Sequence, residues 1–220
     1  MKKLFLLACT VWIAFAAVAQ TTDPPFRKDI DAFKKKDSVQ MPAPHSILFV
    51  GSSSFTKWTD VQDYFPGYPI LNRGFGGSSL PDVIRYADEI IIPYDPKQIV
   101  IYCGENDIAA SDTVSAQTVL QRFQQLFFMI RNKLPKVPIA FVSLKPSVSR
   151  WKMEAKFVKT NQLIKDFLSK QSRTRFINVH DAMLNADGFV MTDIFLPDNL
   201  HMTAKGYAIW KPIILPYLIK

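Results

Sequence analysis

Residues 47–54 read Ile47-Leu48-Phe49-Val50-Gly51-Ser52-Ser53-Ser54. Four apolar residues stop at a glycine and give way to hydroxyls, which is the length and ending of a buried strand. The same punctuation recurs outward along the chain. Pro69-Ile70-Leu71 is a second run, Ile99-Val100-Ile101-Tyr102-Cys103 before Gly104 a third, Ile139-Ala140-Phe141-Val142 a fourth and Phe176-Ile177-Asn178-Val179 a fifth. Runs apolar on both faces are expected of parallel strands covered by helices on each side. Helical spacing fills the gaps. Val83, Ile84, Ala87, Ile90 and Ile91 share one face behind Pro81, and Val119, Phe123, Leu126, Phe127, Ile130 and Leu134 form a longer stripe stopped by Pro135. Phe157, Val158, Ile164, Phe167 and Leu168 line a third helix, and Thr203 is placed to cap a last one running toward Pro212 and Pro216. This alternation predicts one doubly wound, three-layer α/β/α domain over 46–220, with a flavodoxin-like sheet of five parallel strands. No internal repeat or linker divides it.

Composition narrows the function. The 220 residues include 48% hydrophobic and 21% charged side chains, which excludes a disordered chain. Two Cys cannot build a disulfide framework or a four-thiolate zinc site. A formal charge of +8 raises nucleic acid or an anionic membrane as partners, but the cations are spread along helices with no basic cluster expected at the crevice described below. Lys2-Lys3, the apolar stretch Leu4 to Ala16 and Ala17-Val18-Ala19 have the order of a secretory signal peptide over 1–19, cut before Gln20. The apolar stretch is too short to span a bilayer, and the lipoprotein alternative through Cys9 leaves a very short apolar segment. Cleavage leaves Cys103 as the remaining cysteine and predicts a periplasmic or secreted protein. Residues 20–45 are a polar lead-in in which Phe26, Ile30 and Phe33 suggest one short helix, with Lys34-Lys35-Lys36 on its solvated face.

Five of the eight glycines, Gly51, Gly74, Gly76, Gly77 and Gly104, fall just past the first three strands. Open α/β sheets bind ligands beyond the carboxyl ends of strands, where strand order reverses. With the order 2-1-3-4-5, three turns meet there: Gly51-Ser52-Ser53-Ser54, Asn72-Arg73-Gly74-Phe75-Gly76-Gly77 and Gly104-Glu105-Asn106-Asp107. A serine hydroxyl needs a base to become a nucleophile, and the chain has three histidines. His45 lies at the amino end of the sheet. His180 is on the correct side, but its neighbour Asp181 is badly placed to orient it. His201 stands three residues after Asp198, a spacing that lets the carboxylate hold the imidazole. The N–H groups of Ser53 and Gly77 and the amide of Asn106 are candidate oxyanion donors. Gly74-Phe75-Gly76-Gly77-Ser78-Ser79 lacks the third glycine of a dinucleotide loop, and the Gly-x-Ser-x-Gly elbow is absent. No spacing suggests a catalytic metal or a cofactor.

Taken in order, these blocks resemble the SGNH, or GDSL-type, esterase and lipase family. Gly51-Ser52-Ser53-Ser54 aligns with its Gly-Asp-Ser-Leu block, with Ser52 in place of the Asp. Asn72 with Gly77, Gly104-x-Asn106-Asp107, and Asp198-x-x-His201 match the others. The resemblance runs from about Ser46 to Tyr207 and looks most like the branch holding platelet-activating-factor acetylhydrolase-like and lysophospholipase-like members. It implies the SGNH hydrolase fold and a Ser53–His201–Asp198 mechanism, with Ser53, Gly77 and Asn106 as oxyanion hole and no cofactor. Substrates of such a chain are small-molecule, carbohydrate or lipid esters, and nucleic acid is not expected as a partner. A short acyl group is expected, because no long insertion would shelter a fatty chain. Arg150-Trp151-Lys152, after the fourth strand, stands either at a sugar or phosphate or as an amphipathic cover over the core. The remaining alternatives are a lysophospholipase-type acyl hydrolase and a non-catalytic binding module on the same fold.

Overall fold

The computed structural model describes residues 23–220; the expected leader, residues 1–19, lies outside them. A lead-in helix α1 (Arg27–Val39) precedes strand β1 (Ile47–Gly51). There follow α2 (Ser53–Thr56), α3 (Val61–Tyr64), β2 (Ile70–Gly74), α4 (Leu80–Ile90), β3 (Gln98–Tyr102), α5 (Glu105–Ala109) and α6 (Ala116–Lys133). The chain then runs through β4 (Ile139–Val142), a 3-10 segment Val148–Met153, α7 (Glu154–Ser169), β5 (Thr174–Ile177) and α8 (Ala204–Ile214). The strands form one parallel sheet in the order β2-β1-β3-β4-β5, as the strand-helix alternation predicts.

Alternate residues of the central strands enter two separate cores, because side chains on a strand point to opposite faces. Leu48, Val50, Ile99, Ile101, Ile139 and Phe141 face one side, where α1, α4, α6 and α7 close over them. Ile47, Phe49, Val100, Tyr102, Ala140 and Val142 face the other, against Phe55, Trp58, Phe65 and the α8 residues Tyr207 and Trp210. Each fully buried side chain of this size contributes about 1.5–3 kcal/mol. The second core is largely aromatic. Trp58 stacks on Tyr207 with ring centroids 4.7 Å apart, and Phe55 meets Trp210 edge-on at 6.5 Å. This cluster fastens the segment after β1 to the C-terminal helix.

The edge strands are less apolar than the middle three. In β5 Arg175 is exposed, and in β2 the buried Arg73 pairs with Asp37 of α1 and donates to Tyr94 Oη at 2.8 Å. β2 and β3 extend differently from their apolar runs, and β5 starts earlier than Phe176, at Thr174, and stops at Ile177. Main-chain pairing with the neighbouring strand, not side-chain hydropathy, fixes those limits. The lead-in is docked rather than loose: Ile30 is fully buried, and Arg27 makes a bidentate contact to Glu89 at 3.1 and 2.8 Å. Lys34 reaches the same carboxylate at 2.9 Å, while Lys35 and Lys36 stay in solvent. Among the described residues no helix is long and apolar enough to cross a membrane.

Candidate active site

Register builds the site. Gly51 is level with Gly74 on one side and with Tyr102 on the other, so β1, β2 and β3 end in line. With strands about 4.8 Å apart, the serine turn is held between the glycine turn and the Gly104–Asp107 turn. Gly51 has φ +141°, and a Cβ there would lie 1.9 Å from Tyr102 O, so no other residue fits the exit from β1. The chain then enters α2 at Ser53. Asn72 ties the next turn to this one: its amide donates to Phe55 O at 2.7 Å, and its oxygen accepts from Gly74 N–H at 2.9 Å. A Cβ on Gly76 would stand 4.0 Å from Ser53 Cβ, which places the glycine turn against the serine.

Two backbone donors are open here. Among the described residues, neither the Ser53 nor the Gly77 N–H donates to a protein acceptor, and Gly77, with φ +86°, is exposed. Asn106 donates one amide hydrogen to Ser78 O at 2.9 Å, which leaves its second hydrogen unassigned. The following Asp107 is fully buried and accepts from Leu80 N–H at 2.9 Å and Arg122 Nη1 at 2.8 Å, so it pins the start of α4. Burial raises its pKa, against those hydrogen bonds.

The last block is a local construction. Phe195 and Met202 pair as an antiparallel bridge, closed by Leu196 N–H to His201 O at 2.7 Å. Within the loop, Asp198 Oδ1 accepts the N–H groups of Leu200 and His201 at 3.0 and 2.9 Å, a turn that Asp favours. Asn199 takes the left-handed φ of +56° that this turn requires. Asp198 Oδ2 is thereby free for His201 Nδ1 at 2.7 Å. The hydrogen bond from His201, then those from the backbone, hold the Asp198 carboxyl well below the usual carboxylate range. An ionised carboxylate accepts only, so Nδ1 carries a proton and, in the neutral ring, the lone pair lies on Nε2. Nε2 has no hydrogen-bond partner among the described residues.

Three contacts carry this loop to the serine side. Ser149 N–H donates to Asn199 O at 3.1 Å, and the adjacent Arg150 donates to Asn106 Oδ1 at 2.7 Å. Tyr207 Oη donates to Ser54 O at 2.8 Å. Thr56 and Lys57 after the serine, and Met202 and Thr203 after the histidine, line one depression of about 430 Å³ with Tyr64 and Tyr207. These contacts tie the turns that carry Ser53, Gly77 and Asn106, beyond the carboxyl ends of the strands, to the loop that carries Asp198 and His201.

The other sequence-derived candidates fall differently. His45 lies at the opposite end with Asp95 as its neighbour, 3.7 Å away. His180 does bond Asp181, contrary to expectation: Nδ1 to Oδ1 is 2.9 Å, because the 3-10 turn at Asp181–Met183 folds the carboxylate back. Its Nε2 is taken by Glu154, so neither nitrogen is left to act as a base. Arg150 is not a surface cover but turns inward, and with Lys145 and Glu105 forms a charged cluster under the crevice. Lys145 and Arg150 converge on the Glu105 carboxylate at the start of α5, so the group is of mixed charge and its lysine is buried. Trp151 leans on Phe189, ring centroids 5.9 Å apart, and Lys152 is exposed. The buried Cys103 thiol is raised by desolvation and is not a second nucleophile.

A serine, a carboxylate-held histidine and unspent N–H donors on a parallel α/β sheet define a serine hydrolase-type site. The sequence matches the GDSL-like lipase/acylhydrolase family over residues 46–209, and the chain belongs to that family. It is thus a serine hydrolase acting on ester bonds. No curated protein matches it. Among solved structures, one presented as a platelet activating factor from Streptococcus pneumonia is similar with TM-score 0.75 and 22% identity, covering 87% of this chain and 92% of that one. A GDSL-like lipase from Bacteroides thetaiotaomicron gives TM-score 0.71 at 17% identity over 86% and 96% of the two chains. A mutant acetylxylan esterase from Geobacillus stearothermophilus gives 0.63 at 14% identity over 80% and 94%. These likenesses concern the fold.

Proposed function

We propose that the protein is an exported serine esterase removing short acyl groups, acetyl foremost, from a hydrophilic alcohol such as a sugar. The observation that carries the reading is His201, with one ring nitrogen held by Asp198 at 2.7 Å and the other without a hydrogen-bond partner among the described residues. Ser53 Oγ attacks the ester carbonyl as His201 Nε2 takes its proton. Asp198 stabilises the imidazolium, and the N–H groups of Ser53, Gly77 and Asn106 receive the oxyanion. His201 then protonates the departing alkoxide, and water repeats the attack on the acyl-enzyme.

The leaving oxygen must face His201, so the alcohol extends toward the depression between α2 and the loop at 195–203. Its lining offers hydroxyls and charges from Thr56, Lys57, Thr59 and Asp60 to a polyhydroxyl group, and apolar surface from Leu196, Met202, Tyr64 and Tyr207 for a sugar ring to pack on. The acetyl-ester activity named for two of the structural neighbours agrees with a small acyl group. Export is the reading of the leader at 1–19.

A panel of p-nitrophenyl esters of increasing acyl length, with acetylated sugars, tests the proposal. Acetyl esters should be hydrolysed fastest, and Ser53→Ala should abolish turnover without lowering the Tm. Preference for long acyl chains, or wild-type turnover by Ser53→Ala, would contradict it.

A further inference from the structure

Arg150 reaches two acceptors with one planar group. Its Nη2 donates to Asn106 Oδ1 at 2.7 Å and its Nη1 to Glu105 Oε2 at 3.4 Å. Glu105 also accepts from Lys145 Nζ at 3.2 and 3.4 Å, and these two residues are only 3% and 1% exposed. Resting on the esterase reading above, we propose that Arg150 is a positioning residue of the oxyanion hole, locking the Asn106 carboxamide with one N–H turned into the crevice and using the buried Glu105–Lys145 pair as its anchor.

The argument is one of amide orientation. A carboxamide has two donor hydrogens on one side and an acceptor on the other. In Asn106 the nitrogen faces Ser78 O at 2.9 Å and the oxygen faces the guanidinium. Turned by half a revolution, it would set oxygen against carbonyl oxygen and NH₂ against guanidinium, two repulsive contacts. Ser78 alone would fix the nitrogen's position; Arg150 adds the penalty on the flipped state. The cation also draws electron density toward Oδ1, which makes the remaining N–H a stronger donor in a site of low dielectric. The Glu105 carboxylate, held in place by Lys145, keeps the fork where it is, since the guanidinium gives up this buried partner if it moves away.

The position of Arg150 adds a second link. Its neighbour Ser149 bonds Asn199 O through the main chain at 3.1 Å, between Asp198 and His201. One short segment therefore holds the amide donor by a side chain and the histidine loop by its backbone. Truncating Arg150 removes only the first.

A double-mutant cycle on ester hydrolysis tests this. Arg150→Ala should lower kcat about 10- to 100-fold with KM nearly unchanged, because the donor acts on charge that develops in the transition state. In an Asn106→Ala background the same substitution should cost little more, since Arg150 acts through that amide. Arg150→Lys should not restore the rate, because a point charge cannot span both acceptors. Dilute guanidinium should restore part of the rate of Arg150→Ala. Arg150→Gln replaces Arg150→Ala if the latter does not fold. Losses that multiply across the two sites, a lysine variant with the wild-type rate, or an effect confined to KM would overturn the proposal. A wild-type protein inactive on every ester would instead remove the esterase reading, and this inference with it.

Discussion

The molecule holds two histidine–carboxylate assemblies at the same end of its sheet, and they are built for opposite ends. At His201 one carboxylate holds Nδ1 and leaves Nε2 unengaged, the ring is 18% exposed and Asp198 is 48% exposed. At His180 both nitrogens are engaged, by Asp181 and by Glu154, and the side chain is 6% exposed. The second pairing is the more elaborate of the two and the less useful for chemistry. A general base needs a held ring and a spare lone pair; only His201 has both. His180 instead fastens α7 to the end of β5, through Glu154 at the first position of the helix.

Removing each histidine should separate the roles most sharply. His201→Ala is expected to lower kcat on the order of 10⁴-fold or more without a comparable loss of Tm. His180→Asn should leave kcat within about 3-fold and lower the Tm, because Glu154 and Asp181 lose their partner. Steady-state kinetics and thermal denaturation on the same preparations check both. The carboxylates should repeat the contrast at smaller scale. Asp198→Asn is expected to cost on the order of 10³-fold in kcat, since the amide no longer selects the Nδ1–H tautomer; Asp181→Asn should leave the rate near wild type.

The smallest effect concerns pH and stability. Burial lowers the His180 pKa, but the hydrogen bonds its ring donates to Glu154 and then Asp181 outweigh it, and the net shift is upward. A raised folded-state pKa stabilises fully below the unfolded value of about 6.5 and is lost as pH rises through the folded value. The Tm gap between wild type and His180→Asn should therefore narrow from mildly acidic to alkaline pH. Asp198, with its lowered pKa, contributes in the opposite sense, above about pH 4, and its exposure keeps the contribution small. A gap that widened with pH would contradict the pairing at His180.

Legibility in the sequence followed the range of the interactions. The central strands were readable because each is apolar on both faces, and Gly51 announced its turn because no side chain fits beside Tyr102 O. Asp198-x-x-His201 was readable because three residues suffice to bring the two groups together. The charged cluster under Asn106 was not, since Glu105 opens α5 while Lys145 and Arg150 follow β4, and nothing in Arg150-Trp151-Lys152 says which side chain turns inward. The same holds for Glu154 and His180, joined across 26 residues, and for Arg73, whose partner Asp37 lies in the lead-in helix. Thr203 sits at the predicted N-cap of α8, yet its hydroxyl caps nothing.

Covalent labelling of the intact protein by a fluorophosphonate, read by peptide mass spectrometry, tests the central assignment most directly. The adduct should form on Ser53, and His201→Ala should slow its formation severely while His180→Asn leaves it unchanged. Labelling of Ser52 or Ser54 instead, no labelling at all, or equal dependence on the two histidines would contradict the account.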